Sequence, residues 1–164
     1  MKYKQSINLI LLGLVLLLAS GCARGSANQS INQSQGTDAA PPQKLLLFQK
    51  TPCYGTCPAY NATFYSDGTV LYEGFRYVPV TDTLTMQLSQ KQLDQVKEML
   101  RKLDYTSLND TYLSPFTDLP SSYLTFYEND REVGRIKHQQ DGPETLQQTI
   151  TYLHELVMEL LEAK

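Results

Sequence analysis

Between Lys44 and Lys164 the hydrophobic positions follow two rhythms, one of period two and one of helical period. Leu45 to Phe48 is a short apolar run ahead of a turn signal, consistent with a buried strand. Tyr60, Ala62 and Phe64 alternate with Asn61 and Thr63, and after Ser66-Asp67-Gly68 the chain resumes with Val70, Leu71 and Tyr72. Period-two residues on both sides of such a turn predict a hairpin, with Gly68 supplying a positive φ. Val78-Pro79-Val80 and the segment Thr81 to Leu88 predict another strand, which the proline places at an edge or just beyond itself.

Ser89 and Gln92 stand at capping-box spacing, where the hydroxyl caps a free backbone N–H and the glutamine reaches back to the cap residue. A helix is expected from there, with Leu93, Val96, Leu100 and Leu103 on one face and mostly charged residues on the other. Ser122 to Glu128 and Arg131 to His138 form a second hairpin about Asn129-Asp130. Pro143 and Glu144 suit the first turn of a last helix, whose stripe is Leu146, Ile150, Leu153, Val157 and Leu160. Strands then helix, twice over, predict an α+β domain: an antiparallel sheet of about five to six strands with two helices packed on one face.

The first 43 residues have neither rhythm. Lys2 and Lys4 precede an apolar run from Leu9 to Ala19, closed by Ser20, Gly21 and Cys22, which is the three-part layout of a secretory signal. As a helix the run reaches about 16 Å, against roughly 30 Å of bilayer core, so it is short for a membrane span. Cysteine directly after Leu18-Ala19-Ser20-Gly21 resembles the lipobox of bacterial lipoproteins, in which the thiol is acylated and the bond before it is cut. Ala19 stands where that pattern most often has leucine. The resemblance implies a signal peptide over residues 1–21, a lipidated Cys22 as first mature residue and a membrane partner held through acyl chains such as palmitate. Each buried CH₂ contributes about 0.8 kcal/mol, so two or more chains hold a protein on the membrane essentially permanently. In a host with two membranes Ala23, in place of an aspartate that would retain the protein inside, favours the outer one. Residues 22–43 read as a Gly, Ser, Asn and Gln tether ending in Pro41-Pro42, unable to bury enough apolar surface to order itself. Its root-mean-square reach is about 25 Å.

Residues 44–164 remain as one domain, long enough for a sizeable core. The formal charge is −3, and −5 once Lys2 and Lys4 leave with the signal. A mildly acidic domain lacks the clustered Lys and Arg that nucleic acid binding requires.

The most distinctive segment is Cys53-Tyr54-Gly55-Thr56-Cys57-Pro58-Ala59-Tyr60, followed by Asp67-Gly68, Tyr72 and Gly74. It resembles a family of bacterial secreted proteins and lipoproteins known only as a domain of unknown function (family 6438), with the signature CxGxCPxY, then DG, then YxG. The resemblance spans about residues 44–161 and brings a domain type and a location, with no activity, cofactor or catalytic residue. Physically, cysteines four apart can be bridged only if the chain turns back on itself, which Gly55 is expected to allow, and an exported pair is expected to be oxidised. The alternative is a copper or thiol-redox site. CxxxCP also resembles the motif of copper-delivering chaperones for respiratory oxidases, and His138 or His154 would complete a soft ligand set with Cys53 and Cys57. In those chaperones the second cysteine leads toward a helix, whereas Cys57 leads into a strand-like segment. Each histidine also has an ordinary place, at a strand tail and on a helix flank.

No GxSxG elbow, HExxH pair, phosphate-binding glycine loop or EF-hand pattern occurs. Asp67, Asp82, Asp118 and Glu128 would need folding to form a carboxylate pair, and turns explain them better. Of eleven tyrosines, Tyr54, Tyr60, Tyr65, Tyr72 and Tyr77 gather around the first hairpin. They suit either recognition of a peptide or glycan, as one exposed patch, or filling of a half-buried sheet face. The reading is a lipid-anchored envelope protein with a disulfide-stapled domain, a noncatalytic binding or structural module with no cofactor, whose partner in the envelope is not specified by its residues. The runner-up is a metal or thiol-redox accessory protein using the cysteine loop.

Overall fold

A computed structural model of the chain describes residues 41–163; the expected signal, Cys22 and most of the tether lie outside the described residues. Seven strands form one sheet: β1 (Lys44–Lys50), β2 (Ala59–Tyr65), β3 (Thr69–Arg76), β4 (Thr83–Gln87), β5 (Thr111–Tyr112), β6 (Ser122–Glu128) and β7 (Arg131–His138). The helices are α1 (Gln90–Leu103) and α2 (Glu144–Glu162). Across the sheet the order is β4-β3-β2-β1-β6-β7-β5. The domain is therefore α+β, and β1 sits at the centre with antiparallel partners on both sides.

The sheet differs from expectation in one strand. β5 has two residues and runs parallel to β7, so the sheet is mixed and has seven strands where five to six antiparallel ones were expected. Two residues cannot display a period, and this pairing is held by Lys137 N–H on Asp110 C=O and Gln139 N–H on Tyr112 C=O. Both predicted hairpins are present, as is the capping box, in which Ser89 accepts from the Gln92 N–H and Gln92 bonds back to the Ser89 N–H.

Period two decides what each face of the sheet does. Leu46, Phe48, Tyr60, Ala62, Phe64, Val70, Tyr72, Leu124, Phe126 and Ile136 are buried and form one core with Leu93 and Val96 of α1 and Leu146, Leu153 and Val157 of α2. Their alternates, among them Leu47, Thr63, Leu71 and Arg135, are half-buried or exposed. The helices thus cover one face and, among the described residues, nothing helical covers the other. No helix among the described residues is long and apolar enough to cross a membrane.

Antiparallel pairing sorts the connections to two ends. Lys44 lies opposite Tyr65, so the chain enters beside the β2–β3 turn at Asp67-Gly68 and the β6–β7 turn at Asn129-Asp130. The entry is clamped there: the Ser66 N–H donates to Gln43 C=O at 2.8 Å and the Lys44 N–H donates to Asp130 Oδ1 at 2.8 Å. Lys50 lies opposite Tyr60 and Ser122, which puts the cysteine loop, the β3–β4 loop and the β5–β6 loop at the other end. Seven residues at ~3.3 Å each separate the two ends by about 23 Å.

Candidate functional site

The cysteine motif forms the connection between β1 and β2. Cys53 and Cys57 are joined by a disulfide with Cα atoms 5.6 Å apart, inside the normal range for a bridge. Gly55 does not do what its sequence position suggested. Its backbone is outside the left-handed region, and an added Cβ would meet only Cys53 Sγ at 3.7 Å, an ordinary contact. The turn is closed instead by the Gly55 N–H donating to Cys53 Sγ at 3.2 Å. Closing so small a loop is worth about 2 kcal/mol in the chain-entropy model. Cys53→Ser is expected to lower stability by about that amount, read as a shift of the urea midpoint that reductant reproduces in the native chain. An unchanged midpoint would show that the bridge does not stabilise the fold.

The remaining signature residues hold the covered side of this end and the turn at the other. Tyr60 is fully buried, between Phe48 at 6.0 Å, Tyr72 at 5.7 Å and His154 at 5.9 Å between ring centroids. Its hydroxyl lies 2.8 Å from His154 Nδ1. Tyr72, also fully buried, donates its hydroxyl proton to Val80 C=O at 2.9 Å, and Gly74 lets that carbonyl come close. Gly68 has φ +87°, and Asp67 accepts from the Thr69 N–H at 2.9 Å, closing the β2–β3 turn. Pro58 ends the loop immediately before β2, where a strand does not need its N–H.

Burial disfavours the charged forms of Tyr60 and His154 at this end. Burial first, and the neighbouring Tyr72 second, push the Tyr60 hydroxyl far above the ordinary phenol range, so it stays protonated in its hydrogen bond with His154 Nδ1. Burial lowers the His154 pKa, Lys50 lowers it further, and Glu155 opposes them; burial also lowers the Lys50 pKa. His154 therefore takes up a proton more readily unfolded, near its ordinary value of 6.5, than folded. Between the depressed folded pKa and that ordinary value the unfolded chain holds the extra proton, so stability falls as pH is lowered through the window. Urea midpoints at pH 7.5 and 5.5 should differ more for the native chain than for His154→Gln; equal differences would assign the pH dependence elsewhere.

Among the described residues no group of three or more His, Cys, Asp or Glu is placed to hold a metal ion. His138 is engaged at 2.7 Å between Nε2 and the Asp141 carbonyl oxygen, with the Tyr112 ring beside it at 6.2 Å. The four carboxylates of interest do not meet either. Asp67 and Glu128 sit at the entry end while Asp82 and Asp118 sit at the other, each with a local partner: Thr69, Tyr105, the Thr83 N–H and Thr117.

The tyrosines divide between the two roles weighed for them. Tyr60 and Tyr72 fill the core, Tyr65 is half-buried, and Tyr54 and Tyr77 are 97% and 50% exposed. Their apolar companions carry no periodic signal in the sequence. Phe75, Leu113, Phe116 and Leu119 are also exposed, and with Tyr54 and Tyr77 they make six of the seven exposed large hydrophobic residues described; only Val133 lies elsewhere. All six occupy the cysteine-loop end of the sheet, carried by the β1–β2, β3–β4 and β5–β6 connections and the end of β3. The available signal was the run from Leu113 to Leu119, apolar side chains in a Pro-containing stretch with no period. Scattered exposed hydrophobics are normal, but their confinement to one end is not.

A family model described as a domain of unknown function (DUF6438) matches residues 44–157. No curated protein and no solved structure matches the chain.

Proposed function

Because the chain belongs to the DUF6438 family of domains of unknown function, which supplies a domain and no activity, we propose a role from its own residues: a lipid-anchored, noncatalytic binding module of the bacterial cell envelope. Cys22 is the acylated first residue, the tether carries the domain, and the cysteine-loop end engages a protein partner in the envelope. The outer membrane is the proposed location in a host that has one. The observation that carries the binding reading is the collection of exposed aromatic and aliphatic side chains at the end farthest from the chain entry. That surface lies at the end of the strands opposite Lys44, where the chain enters the sheet. Rigid aromatic side chains are also the residue types that dominate protein interfaces, because they bury large areas at low entropic cost. The disulfide supports this use by fixing the loop that presents Tyr54.

One experiment in the native host tests both halves. The full chain is expressed with a photo-crosslinking side chain at position 116 or at position 129, with Cys22 intact or as Cys22→Ser. Intact Cys22 should give palmitate-labelled protein in the membrane fraction and Cys22→Ser should give unlabelled protein outside it or unprocessed. Position 116 should yield one discrete adduct and position 129 none. Unchanged fractionation and processing of Cys22→Ser would remove the anchor, and adducts that do not differ between the two positions would remove the loop-end interface.

A further inference from the structure

The face of the sheet that the helices leave open carries a feature independent of the loops. One line of directly opposed residues runs from Thr111 through Lys137, Tyr123, Gln49, Asn61 and Glu73 to Thr83, crossing all seven strands in spatial order. At ~4.8 Å between strands it is about 29 Å long. Every member is polar at its tip, and every one is half-buried or exposed. The central side chains are already aligned: Arg135 Nη2 donates to Gln49 Oε1 at 3.3 Å, Gln49 Nε2 to Asn61 Oδ1 at 2.9 Å and Asn61 Nδ2 to Glu73 Oε2 at 3.1 Å.

The line is electrically directional. At the β7 end the Arg135 guanidinium lies 4.8 Å and the Lys137 ammonium 5.9 Å from the centroid of the Tyr123 ring, at a shallow concavity of about 580 Å³ that Thr111 also lines. Asp110 lines it too, yet neither cation has a carboxylate within 4.0 Å among the described residues. Beside them Thr125, opposite Arg135 in the neighbouring row, has a buried hydroxyl with no partner among the described residues. The only carboxylate in the line, Glu73, stands four strands away. A pair of cations oriented by an aromatic ring and an amide, with no carboxylate paired to either, is a site for an anion supplied from outside.

The geometry points to this face as a binding site for a saccharide chain bearing carboxylate or phosphate groups, laid across the strands with an anionic substituent at Arg135 and Lys137. Side-chain amides and threonine hydroxyls offer both donors and acceptors to sugar hydroxyls. A peptide is the poorer fit. Peptides add to sheets by pairing with free backbone groups at an edge, and on the face of a sheet the backbone is already paired. This site goes beyond the loop-end reading and occupies a different surface, so either can fail without the other.

The test uses the full processed chain in detergent and three labelled probes: a galacturonic acid oligomer, a hexose-phosphate oligomer and a glutamic acid oligomer of similar length. Saturable binding of at least one saccharide, weakened by salt and at least about tenfold tighter than the glutamate oligomer, is expected. Which saccharide binds identifies the anion. Arg135→Gln with Lys137→Gln should weaken it by about tenfold or more, and so should Tyr123→Ala, whereas Tyr54→Ser should leave it unchanged. No saturable binding to either saccharide overturns the proposal. So does equal binding of the glutamate oligomer, which would make the face a site for acidic peptides, and so does binding indifferent to the Arg135 and Lys137 changes.

Discussion

Gly74→Ala is expected to destabilise the domain by about 3 kcal/mol, at the upper end of what forced overpacking costs. The Val80 carbonyl oxygen occupies the place where a Cβ would stand, and the Tyr72 hydroxyl would be 2.7 Å from it. The obstruction is backbone, which cannot rotate away as a side-chain end would. Relief requires the β3–β4 loop to lift, breaking the Tyr72 hydroxyl bond to Val80 and the bond from the Gly74 N–H to Asp82 C=O at 3.1 Å. Urea unfolding measures it. A loss below about 1 kcal/mol would mean that the loop adapts freely and that the close approach is not a constraint. The signature pair Tyr72 and Gly74 thus acts as one device: the tyrosine binds a carbonyl that only the absence of a side chain two residues on allows in.

Tyr60→Ala is the second large effect, about 3–5 kcal/mol for loss of a buried aromatic side chain. The ring is fully buried among Phe48, Tyr72 and His154, and rigid strand neighbours leave the cavity little scope to collapse. Tyr60→Phe separates ring from hydroxyl. It keeps the packing but leaves His154 Nδ1 without its 2.8 Å partner, at a cost of about 1–2 kcal/mol. Similar losses in the two variants would locate the stability in the hydrogen bond instead of the ring.

Local physics made most of the fold legible. The alternation of Tyr60, Ala62 and Phe64 and the Ser89–Gln92 box each depend on neighbours in sequence, and each is found as written. β5 escaped because Thr111 and Tyr112 are too few to show a rhythm and pair only through the distant β7. Gly55 and Gly74 make a contrast. The turn between the two cysteines does not require its glycine, while Gly74 is demanded by Val80, six residues away on a loop no local pattern describes. The Tyr60–His154 pair, 94 residues apart, lies beyond any spacing rule. The same holds for the line across the open face: seven residues, one from each strand, become a set only when the register is known.

The position of the chain entry also has a mechanical meaning. With the anchor and the loop-end partner proposed above, a pull would reach Lys44, the first residue of the central strand, and the partner would resist it from the opposite end. The load then runs along β1, at right angles to the ladder bonds that tie it to β2 and β6. Those bonds are sheared together and cannot be peeled open one after another. Those two proposed attachments would load the domain in the direction in which its sheet is hardest to tear.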